Sequence, residues 1–150
     1  MKVVIGSDHA GIKLKKEIID FLKENKTEVV DCGTYTEEAV DYPDIAEVVA
    51  GKVLDEKIPG ILICGTGIGV AIAANKIPGI RAALCQNNYG ARLAREHNDA
   101  NILTIGARIT GSGMAVEIVK TFLESEFQAG RHLARVEKID KIEKKYHERS

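Results

Sequence analysis

Ile61-Leu62-Ile63-Cys64-Gly65-Thr66-Gly67-Ile68-Gly69-Val70-Ala71 carries three signals in one run. The apolar residues Ile61 to Cys64, bounded by Pro59-Gly60 before and Gly65 after, read as a short buried strand. Glycines follow at alternate positions, and a small apolar run, Val70 to Ala74, reads as a helix. Strand, glycine turn and helix make half of a βαβ unit. The glycines permit a tight turn and a close approach to the backbone. The helix start turns unpaired N–H groups, with a partial positive charge, onto the same point. That is an anion-binding arrangement. Cys64 stands at the strand end facing it, and a thiol near a helix N-terminus becomes a usable thiolate. A base beside a preformed anion hole suits removal of a carbon-bound proton with stabilisation of an enediolate.

Other readings of this loop fail on particular residues. A Walker loop ends in Gly-Lys-Ser/Thr, which is missing. A dinucleotide fingerprint needs a further Gly or Ala three residues on, where Val70 or Ile72 stands. The next apolar run ends in Cys85-Gln86, without the acidic residue that holds a ribose. The plain alternative is a tight turn with a buried structural cysteine. Thr66 and the three glycines around Cys64 argue against it.

A chain of 150 residues suffices for one domain, taken as 1–150, with a sizeable core. A hydrophobic content of 45% with 29% charged residues excludes a disordered chain. The net charge of −1 argues against a nucleic-acid surface as the main partner. No apolar run has the length of a membrane span, and Met1-Lys2 leads straight into a strand, so a cytoplasmic location is expected. Cys32, Cys64 and Cys85 are widely spaced free thiols suited to a reducing compartment. The histidines show no metal-ligand spacing, and neither metal nor cofactor is expected.

Lys2 to Ser7 predicts a first strand, followed by Asp8-His9 and a helix bearing Leu14, Ile18, Phe21 and Leu22. Thr27–Cys32 predicts strand two. A loop over 33–42 leads to a helix with Pro43 at its first position. After the Cys64 strand come strand four (Ile80–Cys85), a helix (Asn87–Glu96), strand five (Ile102–Gly106) and a helix capped by Thr110. The alternation predicts a parallel sheet with helices on both faces and right-handed crossovers. Ligands then bind beyond the C-terminal strand ends, where Asp8, His9, Cys64 and Thr66 belong. Residues 127–132 interrupt the pattern before a last helix, Leu133 to about Tyr146, whose thin apolar stripe suits packing on its own domain or on another subunit.

Gly6-Ser7-Asp8-His9-Ala10-Gly11, Asp41-Tyr42-Pro43-Asp44, the Cys64 motif, Arg95-Glu96-His97-Asn98-Asp99, Gly106-Ala107-Arg108 and Gly130-Arg131-His132 occur in this order. In this the chain resembles the B-type ribose-5-phosphate isomerases, in a family that also holds galactose-6-phosphate isomerase subunits. The resemblance runs nearly end to end. It implies a Rossmann-like α/β/α sandwich and a homodimer, or a tetramer, with active sites between subunits. It implies interconversion of ribose 5-phosphate and ribulose 5-phosphate in the pentose phosphate pathway, without metal. In that family's terms Cys64 looks like the base, Thr66 like the hydroxyl assisting at the sugar oxygens, and His97 like the acid/base that opens the furanose ring. The amides from Gly65 through Gly67 to Gly69 look like the enediolate hole. His9, Arg108, Arg131 and Arg135 look like a phosphate clamp, and Asp8, Tyr42 and Asn98 like sugar contacts. Independently of this, Arg131 and Arg135 share a helix face, and their forked guanidiniums match phosphate oxygens. The competing functions are isomerisation of a related sugar, such as allose or galactose 6-phosphate, and non-catalytic binding of a nucleotide or anion.

Overall fold

The run after Met1 forms β1 (Lys2–Ser7) in the computed structural model, which describes residues 1–148. Arg149 and Ser150, the end of the expected 1–150 unit, lie outside the described residues. The other strands are β2 (Glu28–Asp31), β3 (Gly60–Cys64), β4 (Ala82–Leu84) and β5 (Ile102–Gly106). They form one parallel sheet in the order β2-β1-β3-β5-β4. The helices are α1 (Ile12–Glu24), α2 (Tyr42–Glu56), α3 (Ile68–Ala74), α4 (Asn88–Glu96), α5 (Ser112–Glu124) and α6 (Gly130–His147).

The sheet divides the interior into two apolar layers. Val3, Ile5, Ile61, Ile63, Leu103 and Ile105 point to the side of α1, α4 and α5. Val4, Leu62, Cys64 and Ile102 point to the side of α2 and α3. This is the expected three-layer α/β/α sandwich, Rossmann-like, with α6 appended. Crossovers toward β2 run through one layer and those toward β4 through the other, as a single hand of connection requires. The connections leaving β1 and β3, which are neighbours, therefore depart in opposite directions. The crevice beyond their C-terminal ends is where such sheets bind ligands.

Several boundaries differ from the sequence reading. Thr110 does not cap α5; Gly111 holds that position and no side chain caps the helix. Strand four is shorter than Ile80–Cys85, because the Arg81 N–H donates to Asn101 Oδ1 at 2.8 Å and is fastened to a side chain. Pro43 stands one residue inside α2, after Tyr42. The helix after the glycine turn begins at Ile68, ahead of Val70. The last helix begins at Gly130, not Leu133, so Arg131 and His132 lie in its first turn. Cys85 is buried, whereas Cys32 is only half-buried, since β2 is an edge strand. Lys15, 4% exposed, donates to Asp31 Oδ1 and to Thr34 O, both at 2.7 Å, and so fastens the start of the 33–41 loop to α1.

Candidate active site

β3 ends in the interior, and Cys64 is 5% exposed. The chain then turns through Gly67, whose φ of +77° is left-handed. That turn aims the Gly67 N–H back at Cys64 Sγ, 3.1 Å away. Thr104, a polar residue inside the otherwise apolar β5, donates its hydroxyl to Gly67 O at 2.8 Å. The Ile68 N–H donates to Thr66 Oγ1 at 3.2 Å. The expected hole from Gly65 to Gly69 is thus partly occupied from within: two of its N–H groups serve the cysteine and the threonine.

The other residues of this end gather around the same turn. Arg108 N–H donates to Gly65 O at 3.0 Å. Its guanidinium lies over Gly65, Nη1 being 3.1 Å from where a Cβ would stand. The Tyr42 ring lies against Gly69, 2.6 Å from the corresponding Cβ position. Asp8 N–H donates to Ile63 O at 3.1 Å, next to Cys64, and its carboxylate accepts from Ala10 N–H at 3.0 Å. His9 Nδ1 accepts from Val40 N–H at 3.2 Å, which leaves Nε2 to carry the proton of the neutral ring. The structure therefore brings together Asp8, His9, Tyr42, Cys64, Gly65, Thr66, Gly67, Gly69 and Arg108.

His97, Asn98, Arg131 and Arg135 lie elsewhere. α4 starts beyond the C-terminal end of β4 and runs back, so His97 at its C-cap lies toward the N-terminal ends of the strands. Arg81, just before β4, donates to Asn98 O and Asp99 O at 3.1 and 3.0 Å and holds that segment there. Five residue steps of β5 separate Asn101 from the level of Cys64, roughly 16 Å at the rise of a parallel strand. His97 stacks on His132, which lies in α6 between Arg131 and Arg135 in sequence, both of them exposed. Within one chain the candidate residues thus fall into two groups at opposite ends of the strands. His132 belongs to the second, and its place between two arginines was the available signal. No group of three or more His, Cys, Asp or Glu side chains able to hold a metal ion occurs among the described residues. No helix among them is long and apolar enough to cross a membrane.

The sequence pattern of the family described as Ribose/Galactose Isomerase matches residues 3–139. The chain belongs to this family. Ribose-5-phosphate isomerase B of Escherichia coli K12 is 47% identical over 145 residues, covering 96% of this chain and 97% of the other. The structure of ribose-5-phosphate isomerase B of Clostridium thermocellum is 58% identical, covers 97% of this chain and 99% of that one, and superposes with a TM-score of 0.95. That of Mycoplasma genitalium, solved with bound ribulose 5-phosphate, is 44% identical, covers 95% and 96%, and superposes with a TM-score of 0.91. As a ribose/galactose isomerase, the chain carries its glycine turn and Cys64 within the matched region.

Proposed function

We propose that this chain, acting as one unit over 1–150, interconverts ribose 5-phosphate and ribulose 5-phosphate, with Cys64 as the base. The observation that carries this is the buried Cys64 Sγ under the Gly67 N–H, at the strand end where the fold binds ligands, in a chain so similar to ribose-5-phosphate isomerases B. Once the sugar is open, the thiolate takes the proton from C2. The electron pair forms the C1–C2 double bond, and negative charge moves to O1. The thiol returns the proton to C1, and Thr66 Oγ carries the hydroxyl proton between O2 and O1. As charge leaves sulfur for oxygen, nearby backbone N–H groups follow it with little reorganisation.

Ring opening needs an acid/base, and His97 fills that role from a second copy of the chain. The separation of the two groups supports this, since Cys64 of one copy would face His97, Asn98, Arg131 and Arg135 of another. His9 and Arg108 then meet the two helical arginines around the phosphate. Exposed apolar side chains support an association of copies: Ile68 is 48% exposed and Ile72 59% on α3, Ile139 44% and Ile142 60% on α6. The working unit is thus a homodimer, cytoplasmic like the sugar phosphates it would use. The test is spectroscopic: purified protein with ribose 5-phosphate forms ketose, and light scattering gives twice the chain mass. No ketose from ribose 5-phosphate, with turnover of allose or galactose 6-phosphates, would move the assignment to another sugar.

A further inference from the structure

The His97 and His132 rings stack with centroids 4.1 Å apart and planes 13° from parallel. The backbone on both sides is fastened. His97 N–H donates to Leu93 O at 2.8 Å, closing α4. His132, 9% exposed, donates its N–H to Ala129 O at 2.8 Å. Gln128 N–H donates to Glu96 O at 3.0 Å, so the chain entering α6 is tied to the residue preceding His97. His97 itself is half-buried.

We propose that His132 is a positioning residue for the ring-opening step, holding the His97 imidazole in one orientation by stacking on it. The inference rests on the reading of His97 as the ring-opening acid/base. A C-cap side chain half in solvent otherwise has several rotamers, and an acid/base misplaced by about 1 Å can lose 10²-fold in rate. The stack serves only while its two rings do not both carry charge, since like charges this close repel. Burial above all, then His97, Arg131 and Arg135, lowers the proton affinity of His132 from the usual 6.5, so that ring stays neutral. A neutral ring between two arginines has no evident use as a further cation, but it can brace a neighbour that gains and loses a proton.

The test compares His132→Ala, His132→Phe and His132→Gln with His97→Ala and the His97→Ala/His132→Ala double variant. Substrates are ribose 5-phosphate and erythrose 4-phosphate, which cannot close a furanose ring. His132→Ala should lower kcat on ribose 5-phosphate about tenfold or more, with KM within about threefold of the parent. Erythrose 4-phosphate turnover should hardly change. His132→Phe keeps a flat ring and should restore kcat; His132→Gln covers a Phe that fails to fit and should fall between. The double variant should be no slower than His97→Ala. In NMR spectra of histidine-labelled protein, the His97 ring protons should lose their ring-current shift in His132→Ala and keep it in His132→Phe. A loss expressed mainly in KM, a loss equal on both substrates, or one additive with His97→Ala would overturn the proposal. If His97→Ala itself harms both substrates alike, the reading of His97 fails and takes the ring-opening role with it. The NMR comparison then separately decides whether His132 sets the ring's position.

Discussion

Replacing Gly67 by alanine tests whether the turn under Cys64 is as constrained as its geometry indicates. At φ +77° an L-residue pays for a left-handed backbone, about 1–2 kcal/mol. The new Cβ would also stand 2.7 Å from Leu84 Cδ1, 2.8 Å from Ile105 C and 3.0 Å from Gly106 N. Two of these are backbone atoms of β5 or its end, which cannot swing away, and such overpacking costs about 1–3 kcal/mol. The total is about 2–5 kcal/mol, which for a chain of this size lowers Tm by about 4–20 °C. Gly65→Ala is the control. The atoms nearest its Cβ would all belong to the Arg108 side chain, Nη1 at 3.1 Å, which can swing aside. Calorimetric melts of the two variants and the parent give the answer. Gly65→Ala should melt within about 2 °C of the parent, with any activity loss traceable to Arg108. A Gly67→Ala protein that melts with the parent would refute the reasoning, because neither the strain nor the clash would be real.

Arg131→Ala and Arg135→Ala should raise KM for sugar phosphates by the equivalent of about 2–5 kcal/mol, the cost of removing one partner of a desolvated charge pair, and affect free sugars far less; steady-state kinetics showing equal effects on both would refute the clamp. The lowered proton affinity of His132 means the unfolded chain binds more protons as pH falls, so the stability this neutral ring contributes is present above about pH 6.5 and is lost on acidification through the lowered folded-state value. Thermal melts down to about pH 5 should show the parent losing more stability than His132→Phe; parallel losses would contradict it. Exhaustive chelation should leave turnover unchanged, since nearby N–H groups and Thr66 serve the developing charge; activity lost to EDTA and restored by a divalent ion would refute this.

Much of this architecture is legible in residues alone. The apolar run Ile61 to Cys64 between Pro59-Gly60 and Gly65 reads as a short buried strand, and it puts Cys64 at the C-terminal strand end, where such sheets bind ligands. Order within the sheet is not legible, because which strand β3 joins depends on packing of both layers at once. Helix starts come out late where apolar periodicity is the guide: Leu133 is the first apolar residue of α6, yet the helix has already begun at Gly130. The N–H groups of the glycine turn read as open, because no pattern of residue types shows that Gly67 N–H turns inward to Sγ. The resemblance implies that His97 acts in the same site as Cys64. Its place just before β5 puts it at the start of a strand, and Cys64 at the end of one, so within a single chain the two stay apart.

The central claim, that Cys64 moves the proton, is tested most directly by kcat for Cys64→Ser and Cys64→Ala, with iodoacetamide labelling of the parent protein alongside. Serine keeps the shape but supplies a hydroxyl that hardly ionises near neutrality. Both variants should lose about 10²–10⁴-fold in kcat, with KM little changed because His9 and the arginines still hold the phosphate. Labelling should fall on Cys64 and be blocked by ribose 5-phosphate. Burial pushes the Cys85 thiol up to about 11 and raises that of Cys32, which keeps both slow. Turnover within about tenfold of the parent in both variants, below the range for a lost general base, would show that another group takes the proton.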